Sequence, residues 1–165
     1  MFSFFNRTKN ENGKYTKPYY SFRNVKSGRV IDLCQEGEHQ GSLIIWDGYG
    51  GENQQFTVKQ KGPNYYLKCR KTKQYLTVEG PQNGAKIYCA PKTKQQNQQF
   101  RLDESSPGSQ EYVIYTYCGK VLDVAEEGKK NGTQVIQWDY HGGENQLFNL
   151  CEPNNITSSS SEMDW

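Results

Sequence analysis

One phrase of the sequence occurs three times, and this repetition constrains the fold more than any other feature. The first copy runs from Trp46 to Phe56, the last from Trp138 to Phe148, and a less similar copy from Ala90 to Phe100. Each copy ends in Gln-x-Phe, and the Asn before the Gln stands at positions 53, 97 and 145, at intervals of 44 and 48 residues. Repetition at such a period predicts a chain built from three similar structural units.

Each unit contains four short runs rich in β-branched and aromatic residues, and none of the runs has a helical period. Apolar and polar residues alternate within these runs. Asp32 and Asp123, for example, lie between apolar neighbours, so we expect their side chains to face away from the core and to be exposed. One unit cannot bury its apolar face alone, but three units around a pseudo-threefold axis can share a core. The sequence therefore predicts an all-β fold of roughly twelve strands.

The repeats define the boundaries of a single domain over residues 19–151. Residues 1–18 form a polar N-terminal extension, and residues 152–165, with four serines in a row, are predicted to be a disordered tail. The apolar start of the chain ends too early for a signal peptide, and no stretch is a candidate transmembrane segment. We therefore expect a protein of the cytoplasm, or one secreted without a signal peptide.

The composition fits small repeated β units rather than a disordered chain. The hydrophobic content is 33% and the mean hydropathy is −0.98, but aromatic residues make up 13% and the net charge is +2. Disordered chains are usually poor in aromatic residues and high in net charge. The cysteines are odd in number, five, and do not occupy matching positions in the repeats, which argues against a disulfide framework.

Charge is distributed unevenly along the chain. Residues 57–100 hold nine Lys and Arg and one acid, a net charge of +8, whereas residues 101–151 hold four bases and eight acids, a net charge of −4. A lobe of this charge can attract an acidic ligand such as a sulfated glycan, an anionic lipid surface or nucleic acid. Opposite charges on the middle and third repeats also suggest a salt-sensitive homodimer. A solvated face is the simpler alternative.

The three Gln-x-Phe repeats resemble those of the ricin B-type β-trefoil lectins, in which each repeat closes in Gln-x-Trp or Gln-x-Phe. The wording Gly-Gly-x-Asn-Gln-x-Phe is most similar to that of single-domain lectins of fungal type. The resemblance covers about residues 19–151 and implies a β-trefoil with pseudo-threefold symmetry. It also implies a non-enzymatic protein that binds carbohydrate, of the galactose or N-acetylgalactosamine type, and needs no cofactor or metal.

In that family a sugar site combines an Asp on the second strand, an aromatic residue about fifteen positions later, and the Asn before Gln-x-Phe. The resemblance thus implies two sites, in repeats one and three, whereas the middle repeat keeps only its Asn. The family often has Gln two residues before the aromatic residue, where this chain has Ile. The matching residues are Asp32, Trp46 and Asn53 in repeat one, and Asp123, Trp138 and Asn145 in repeat three, with Tyr49 and His141 as candidates at the pocket edges.

These residue types suit a sugar. A carboxylate accepts hydrogen bonds from two neighbouring hydroxyl groups, and such charge-assisted bonds are strong. The Asn amide supplies a donor and an acceptor, and a Trp face covers the C–H surface of the sugar ring. We interpret Gln54, Gln98 and Gln146 differently, as structural residues that hold each repeat together through bonds to the backbone.

The sequence favours binding over catalysis. It contains two His residues, no phosphate-binding loop and no metal-ligand spacing of Cys or His. Two alternatives to a lectin remain open: a protein that binds acidic ligands through its basic middle repeat, and a trefoil protease inhibitor or other protein-interaction module. Salt separates the first alternative from neutral-sugar binding, because charge-driven binding weakens steeply as salt rises.

Overall fold

The fold was analysed in a computed structural model, which describes residues 8–9, 11–13, 15–16 and 18–152. The chain forms short strands throughout, and its only helical elements in these ranges are 3-10 turns of three residues, at Glu52–Gln54, Gln96–Gln98, Ala125–Glu127 and Glu144–Gln146. The strands are β1 (Thr8–Lys9), β2 (Tyr15–Thr16), β3 (Ser21–Asn24), β4 (Val30–Leu33), β5 (Leu43–Trp46), β6 (Phe56–Lys61), β7 (Asn64–Cys69), β8 (Tyr75–Val78), β9 (Ile87–Ala90), β10 (Arg101–Glu104), β11 (Glu111–Tyr115), β12 (Val121–Val124), β13 (Val135–Trp138) and β14 (Phe148–Cys151).

The first and fourth strands of the three repeats close into a six-stranded barrel. β6 pairs with β7, β10 with β11, and β14 with β3, all antiparallel. The ring is completed by β11 with β14 and by the isolated bridges Tyr20–Phe56 and Tyr65–Phe100. Closing the sheet on itself removes exposed edges, so the short strands satisfy their backbone hydrogen bonds within the protein.

The second and third strands of each repeat form hairpins that cap one end of the barrel. These hairpins are β4–β5, β8–β9 and β12–β13. Three isolated bridges join them in a triangle, Ser42–Tyr88, Ile44–Gln134 and Lys86–Ile136. Each hairpin therefore contacts both of the others, and the turn of one repeat lies beside a strand of the next.

The core takes equivalent residues from each repeat. The Phe of every Gln-x-Phe motif, Phe56, Phe100 and Phe148, is completely buried, as the period-2 pattern predicted. Between them lie the apolar residues of the hairpin strands, such as Leu33, Val78 and Val124. Large side chains at threefold positions explain how a chain of low hydrophobic content fills a core.

The predicted fold is confirmed: the protein is an all-β trefoil whose three repeats contribute four strands each, β3 to β14. The predicted disorder of the tail concerns residues 152–165, which apart from Glu152 lie outside the described residues, as does most of the predicted extension 1–18. Within the described part of the chain, no helix has the length and apolar character needed to cross a membrane.

Replacing Phe100 by Ala tests the role of the motif in the core. The ring is fully buried, so its removal leaves a cavity and should lower the free energy of unfolding by about 3–5 kcal/mol. Urea unfolding followed by far-ultraviolet circular dichroism measures this change. Lys59→Ala, at an exposed position of β6, is the matched control and should change this free energy by less than about 0.5 kcal/mol. Equal urea midpoints for Phe100→Ala and Lys59→Ala would contradict the assignment of Phe100 to the core.

Candidate functional site

The predicted residues of repeat one meet at a cavity of about 460 Å³ on the outside of the β4–β5 hairpin. Asp32 comes from β4, Trp46 from the end of β5, and Asn53 from the 3-10 turn that follows. Tyr49 lines the cavity as well, as does Ile44 of β5. The structure therefore brings together the three predicted ligands and the predicted edge residue of this repeat.

The expectation that Asp32 and Asp123 are exposed was wrong. Each side chain faces away from the barrel core, as the alternation requires, but each residue is only 4% exposed. The physical reason is a second layer: the 3-10 turn Glu52–Gln54 packs over β4, and Glu144–Gln146 packs over β12. Both faces of these strands are covered, so the period-2 pattern identified the direction of the side chain and not its exposure.

The carboxylate of Asp32 is held by two side-chain amides. Asn53 Nδ2 donates to one oxygen at 3.1 Å, and Gln54 Nε2 donates to the other at 2.9 Å. Burial raises the pKa of Asp32 to about 6, although these two hydrogen bonds act in the opposite direction. Desolvation likewise raises the pKa of Asp123. Each site thus keeps a carboxylate in surroundings that make its charge costly.

The two tryptophans are exposed platforms rather than core residues. Trp46 is 41% exposed and Trp138 is 42% exposed. Each indole lies against the turn of another repeat, since a Cβ atom on Gly132 would be 3.9 Å from Trp46 and one on Gly84 would be 4.0 Å from Trp138. A flat ring supported from one side leaves its other parts available to a ligand.

The Asp that follows each Trp forms hydrogen bonds to the same turn against which that Trp lies. Asp47 accepts a hydrogen bond from Asn131 Nδ2 at 2.9 Å, and its backbone N–H donates to Asn131 Oδ1 at 2.9 Å. In repeat three, Asp139 accepts from Asn83 Nδ2 at 2.9 Å and from Lys120 Nζ at 2.6 Å. These contacts were not predicted from the sequence. The Asn-Gly pairs at 83 and 131 signalled tight turns, but nothing in their spacing showed which strand they would support.

The edge residue of repeat one completes its polar network. The Tyr49 hydroxyl donates to Asn53 Oδ1 at 2.7 Å. Gly51 permits this approach, because a Cβ there would overlap the Tyr49 ring and lie 2.6 Å from Asn53 Oδ1. The second Gly of the Gly-Gly pair therefore has a steric cause, the close passage of Tyr49 over Asn53.

The pocket of repeat three has the same plan with different edges. Its cavity of about 430 Å³ is lined by Asp123, Trp138, Asn145 and His141. His141 Nε2 lies 3.6 Å from Asp123 Oδ2. The Asn145 amide donates to the carbonyl of Val124, while its buried Oδ1 has no hydrogen-bond partner among the described residues. The second pocket therefore differs from the first in having an unsatisfied acceptor beside its carboxylate.

The interpretation of the three motif glutamines as structural is confirmed. Gln54 is fully buried, donates to the carbonyl of Asp47 at 2.9 Å and accepts from the Tyr49 N–H at 3.0 Å. Gln98 and Gln146 make the corresponding bonds across their own loops. Sequence reasoning missed a further contact, the bond from Gln Nε2 to the side chain on the second strand, which ties each loop to the carboxylate of its site.

The middle repeat has the same framework but not the same site. Thr77 occupies the Asp position and accepts from Gln98 Nε2 at 3.0 Å, and Ala90 occupies the Trp position. Asn97 remains and donates to the carbonyl of Val78 at 3.2 Å. The repeat therefore meets the structural demand for an acceptor with a hydroxyl group and offers neither a carboxylate nor an indole at these positions.

The raised pKa of Asp32 predicts how stability depends on pH. An unfolded Asp titrates near pH 4, below the folded value of about 6, so the contribution of Asp32 to stability is full below about pH 4 and is lost as pH rises through 6. Asp32→Asn cannot titrate. Its free energy of unfolding relative to the parent should therefore be higher at pH 7.5 than at pH 4, as measured by urea unfolding at both pH values. If the free energy of unfolding of Asp32→Asn relative to the parent were lower at pH 7.5 than at pH 4, the raised pKa would be contradicted.

Comparisons with known proteins agree with this architecture. The model of the "Ricin-type beta-trefoil lectin domain-like" family matches residues 2–90, 53–138 and 96–163. The main hemagglutinin component type C of Clostridium botulinum C phage is 27% identical over 111 residues, which are 64% of this chain and 38% of that protein. The chain thus spans well under half the length of this relative.

Solved structures give the same result. The designed threefold symmetric protein ThreeFoil superposes with a TM-score of 0.73 at 29% identity, over 81% of this chain and 98% of that one. The ricin B-like lectin of Macrolepiota procera, solved in complex with lactose, gives 0.71 at 26% identity, over 85% and 99%. With three overlapping family matches that together span the repeats, the chain belongs to the ricin-type β-trefoil lectin family.

Proposed function

We propose that this protein is a lectin that binds galactose- or N-acetylgalactosamine-type glycans at two sites, without turning them over. The observation that carries the proposal is the meeting of a buried carboxylate, an exposed indole and an Asn amide at one cavity, twice in the chain. The first site comprises Asp32, Trp46 and Asn53, and the second Asp123, Trp138 and Asn145.

The middle repeat supports a ligand role for the two aspartates. The framework needs one acceptor for the motif Gln, and Thr77 meets this need with a neutral hydroxyl. A carboxylate at the same position is desolvated, which raises its pKa, so the fold gains nothing from the charge that Thr does not supply. A charge kept in spite of this cost is explained by a ligand whose hydroxyl groups hydrogen-bond to it.

The proposed sugar class rests on the family and on one similar structure. The lectin of Macrolepiota procera was solved with lactose, a galactose-containing disaccharide. Ile44 and Ile136 line the two cavities at the position where the family often has Gln, so each site replaces a polar contact with an apolar one. Lactose is therefore the first probe, and N-acetylgalactosamine, whose acetyl methyl group can contact an Ile side chain, is the second.

Two weak sites on one chain are useful when they act together. A shallow sugar pocket gives dissociation constants of roughly millimolar to tens of micromolar. A ligand surface carrying many glycans engages both sites and raises the apparent affinity by about 10²–10⁴. The curated relative is called a hemagglutinin component, and we propose that this chain likewise cross-links glycan-bearing surfaces.

Titration calorimetry with lactose should give two sites per chain. Asp32→Asn and Asp123→Asn should each remove one site, and the double variant should remove both, because amide substitution abolishes the charge-assisted bonds, each worth roughly 1.5–3 kcal/mol. At Asp32 the substitution replaces one of the two oxygens that accept from Asn53 and Gln54, so Asp32→Asn should lower the melting temperature. Asp123→Asn can keep an oxygen toward Gln146 and should melt close to the parent. Calorimetry is carried out at a temperature at which both variants are folded.

A matched control distinguishes the assigned repeats from the middle one. Thr77→Val removes the acceptor of Gln98 and should lower the melting temperature, but the folded variant should still bind two lactose molecules. Undiminished lactose binding by the folded double variant would show that the sites lie elsewhere, and a stoichiometry of three would show that the middle repeat takes part.

The affinity of the first site for lactose should fall in acid. The variant Asp123→Asn isolates the first site, where the pKa of Asp32 is about 6. If the charged carboxylate is the form that binds, the affinity should be constant above about pH 7 and fall about tenfold per pH unit below 6. Calorimetry from pH 4.5 to 8 measures this profile. Affinity that is independent of pH would mean that the carboxylate charge does not contribute to binding.

A further inference from the structure

The middle repeat contains an acid and an aromatic residue at positions displaced from those of the two lectin sites. Strand β4 carries Asp32, and the equivalent position on β8 is Thr77, but Glu79 stands two residues further on. On the returning strand, Trp46 is replaced by Ala90, and Tyr88 stands two residues earlier. Because strand side chains repeat their direction every two residues, both groups stay on the ligand-facing side of the hairpin.

Both displacements run toward the hairpin turn, so the acid and the ring remain partners. Tyr88 pairs with Thr77 across the hairpin, and the N–H of Glu79 donates to the carbonyl of Lys86 at 3.0 Å. A shift of two residues corresponds to about 7 Å along a strand. Glu79 and Tyr88 thus lie two residues closer to the hairpin turn than the Asp and Trp of the other repeats.

A cavity of about 330 Å³ lies at this displaced position. Glu79, Lys86 and Tyr88 line one side, and the turn of repeat one, Gln40 to Ser42, lines the other. The turns of the other two repeats support Trp46 and Trp138, but the turn of repeat one has no indole to support, since Ala90 stands there. The bridge between Ser42 and Tyr88, which has an equivalent at each of the other two junctions, places this turn beside the Tyr88 strand.

We propose that this cavity is a third binding site, specific for an acidic saccharide such as a uronic acid. The Tyr88 ring covers the C–H face of the sugar, the Glu79 carboxylate accepts hydrogen bonds from ring hydroxyl groups, and the Lys86 ammonium pairs with the acidic group of the ligand. The two lectin sites have no equivalent of Lys86, because Ser42 and Gln134 occupy its position in repeats one and three.

The charges around the cavity favour an anion over a neutral sugar. Residues 57–100 carry a net charge of +8, and Glu79 is their one acid. Three of the other eight bases of this lobe are engaged: Arg70 pairs with Glu52, and the ammonium groups of Lys68 and Lys92 lie over tyrosine rings. Lys86 is exposed, forms no ion pair with a described residue, and is the base that lines this cavity.

The test uses the full chain carrying Asp32→Asn and Asp123→Asn, so that failure of the two lectin sites does not affect the result. Glucuronic acid, with glucose as its neutral counterpart, is titrated at low ionic strength while amide resonances are followed by NMR. Glucuronic acid should shift the amides of Glu79, Tyr88 and Gly41 with a dissociation constant in the millimolar range, about tenfold tighter than glucose.

Two substitutions copied from the other repeats are the matched variants. Lys86→Gln and Tyr88→Ile introduce the residues that repeat three has at these positions, Gln134 and Ile136, and so preserve the fold. Lys86→Gln should abolish the preference for glucuronic acid over glucose, and Tyr88→Ile should weaken the binding of both sugars. The absence of shifts at these amides, equal binding of the two sugars, or an unchanged preference in Lys86→Gln would each overturn the proposal.

Discussion

Each repeat of this trefoil depends on one buried glutamine. The side chain of the Gln in Gln-x-Phe spans a loop of its own repeat, donating to a carbonyl at one point and accepting from an N–H two residues later. The nine residues between β5 and β6, and the nine between β13 and β14, form no strand, and without the glutamine these backbone groups would lose their partner within the protein. The Phe two residues later enters the barrel core. The motif therefore joins the outer layer of the protein to its core.

The same glutamine connects the fold to function. Its second amide hydrogen reaches the side chain on the second strand, which is Asp32, Thr77 or Asp123. The framework demands an acceptor at this point and accepts either a hydroxyl or a carboxylate. What the framework does not demand is negative charge, and burial raises the pKa of both aspartates. The hydrogen-bond acceptor therefore serves the fold, whereas we propose that the negative charge serves ligand binding.

Most of the fold could be predicted from the sequence, because the repeated phrase constrains architecture directly. The burial of Phe56, Phe100 and Phe148 followed from alternation, and the bonds of the motif glutamines followed from the need to satisfy a loop. The burial of Asp32 could not be obtained in this way, since alternation describes one strand and the covering layer comes from a turn twenty residues later. Contacts between repeats, such as that of Asn131 with Asp47, could not be predicted either, because no local sequence pattern encodes them.

Those contacts between repeats show that the pockets are not independent modules. The indole of repeat one rests on the turn of repeat three, and the indole of repeat three rests on the turn of the middle repeat. The turn of repeat one reaches the middle repeat, where no indole is present. A threefold arrangement thus supplies three supports, of which two hold a Trp. At the third, the missing ring leaves room beside a turn whose position is already set by the hairpin triangle, and this is where the Glu79 and Tyr88 pair lies. The middle repeat, which has Thr77 and Ala90 at the Asp and Trp positions, therefore has a different cavity rather than a filled surface.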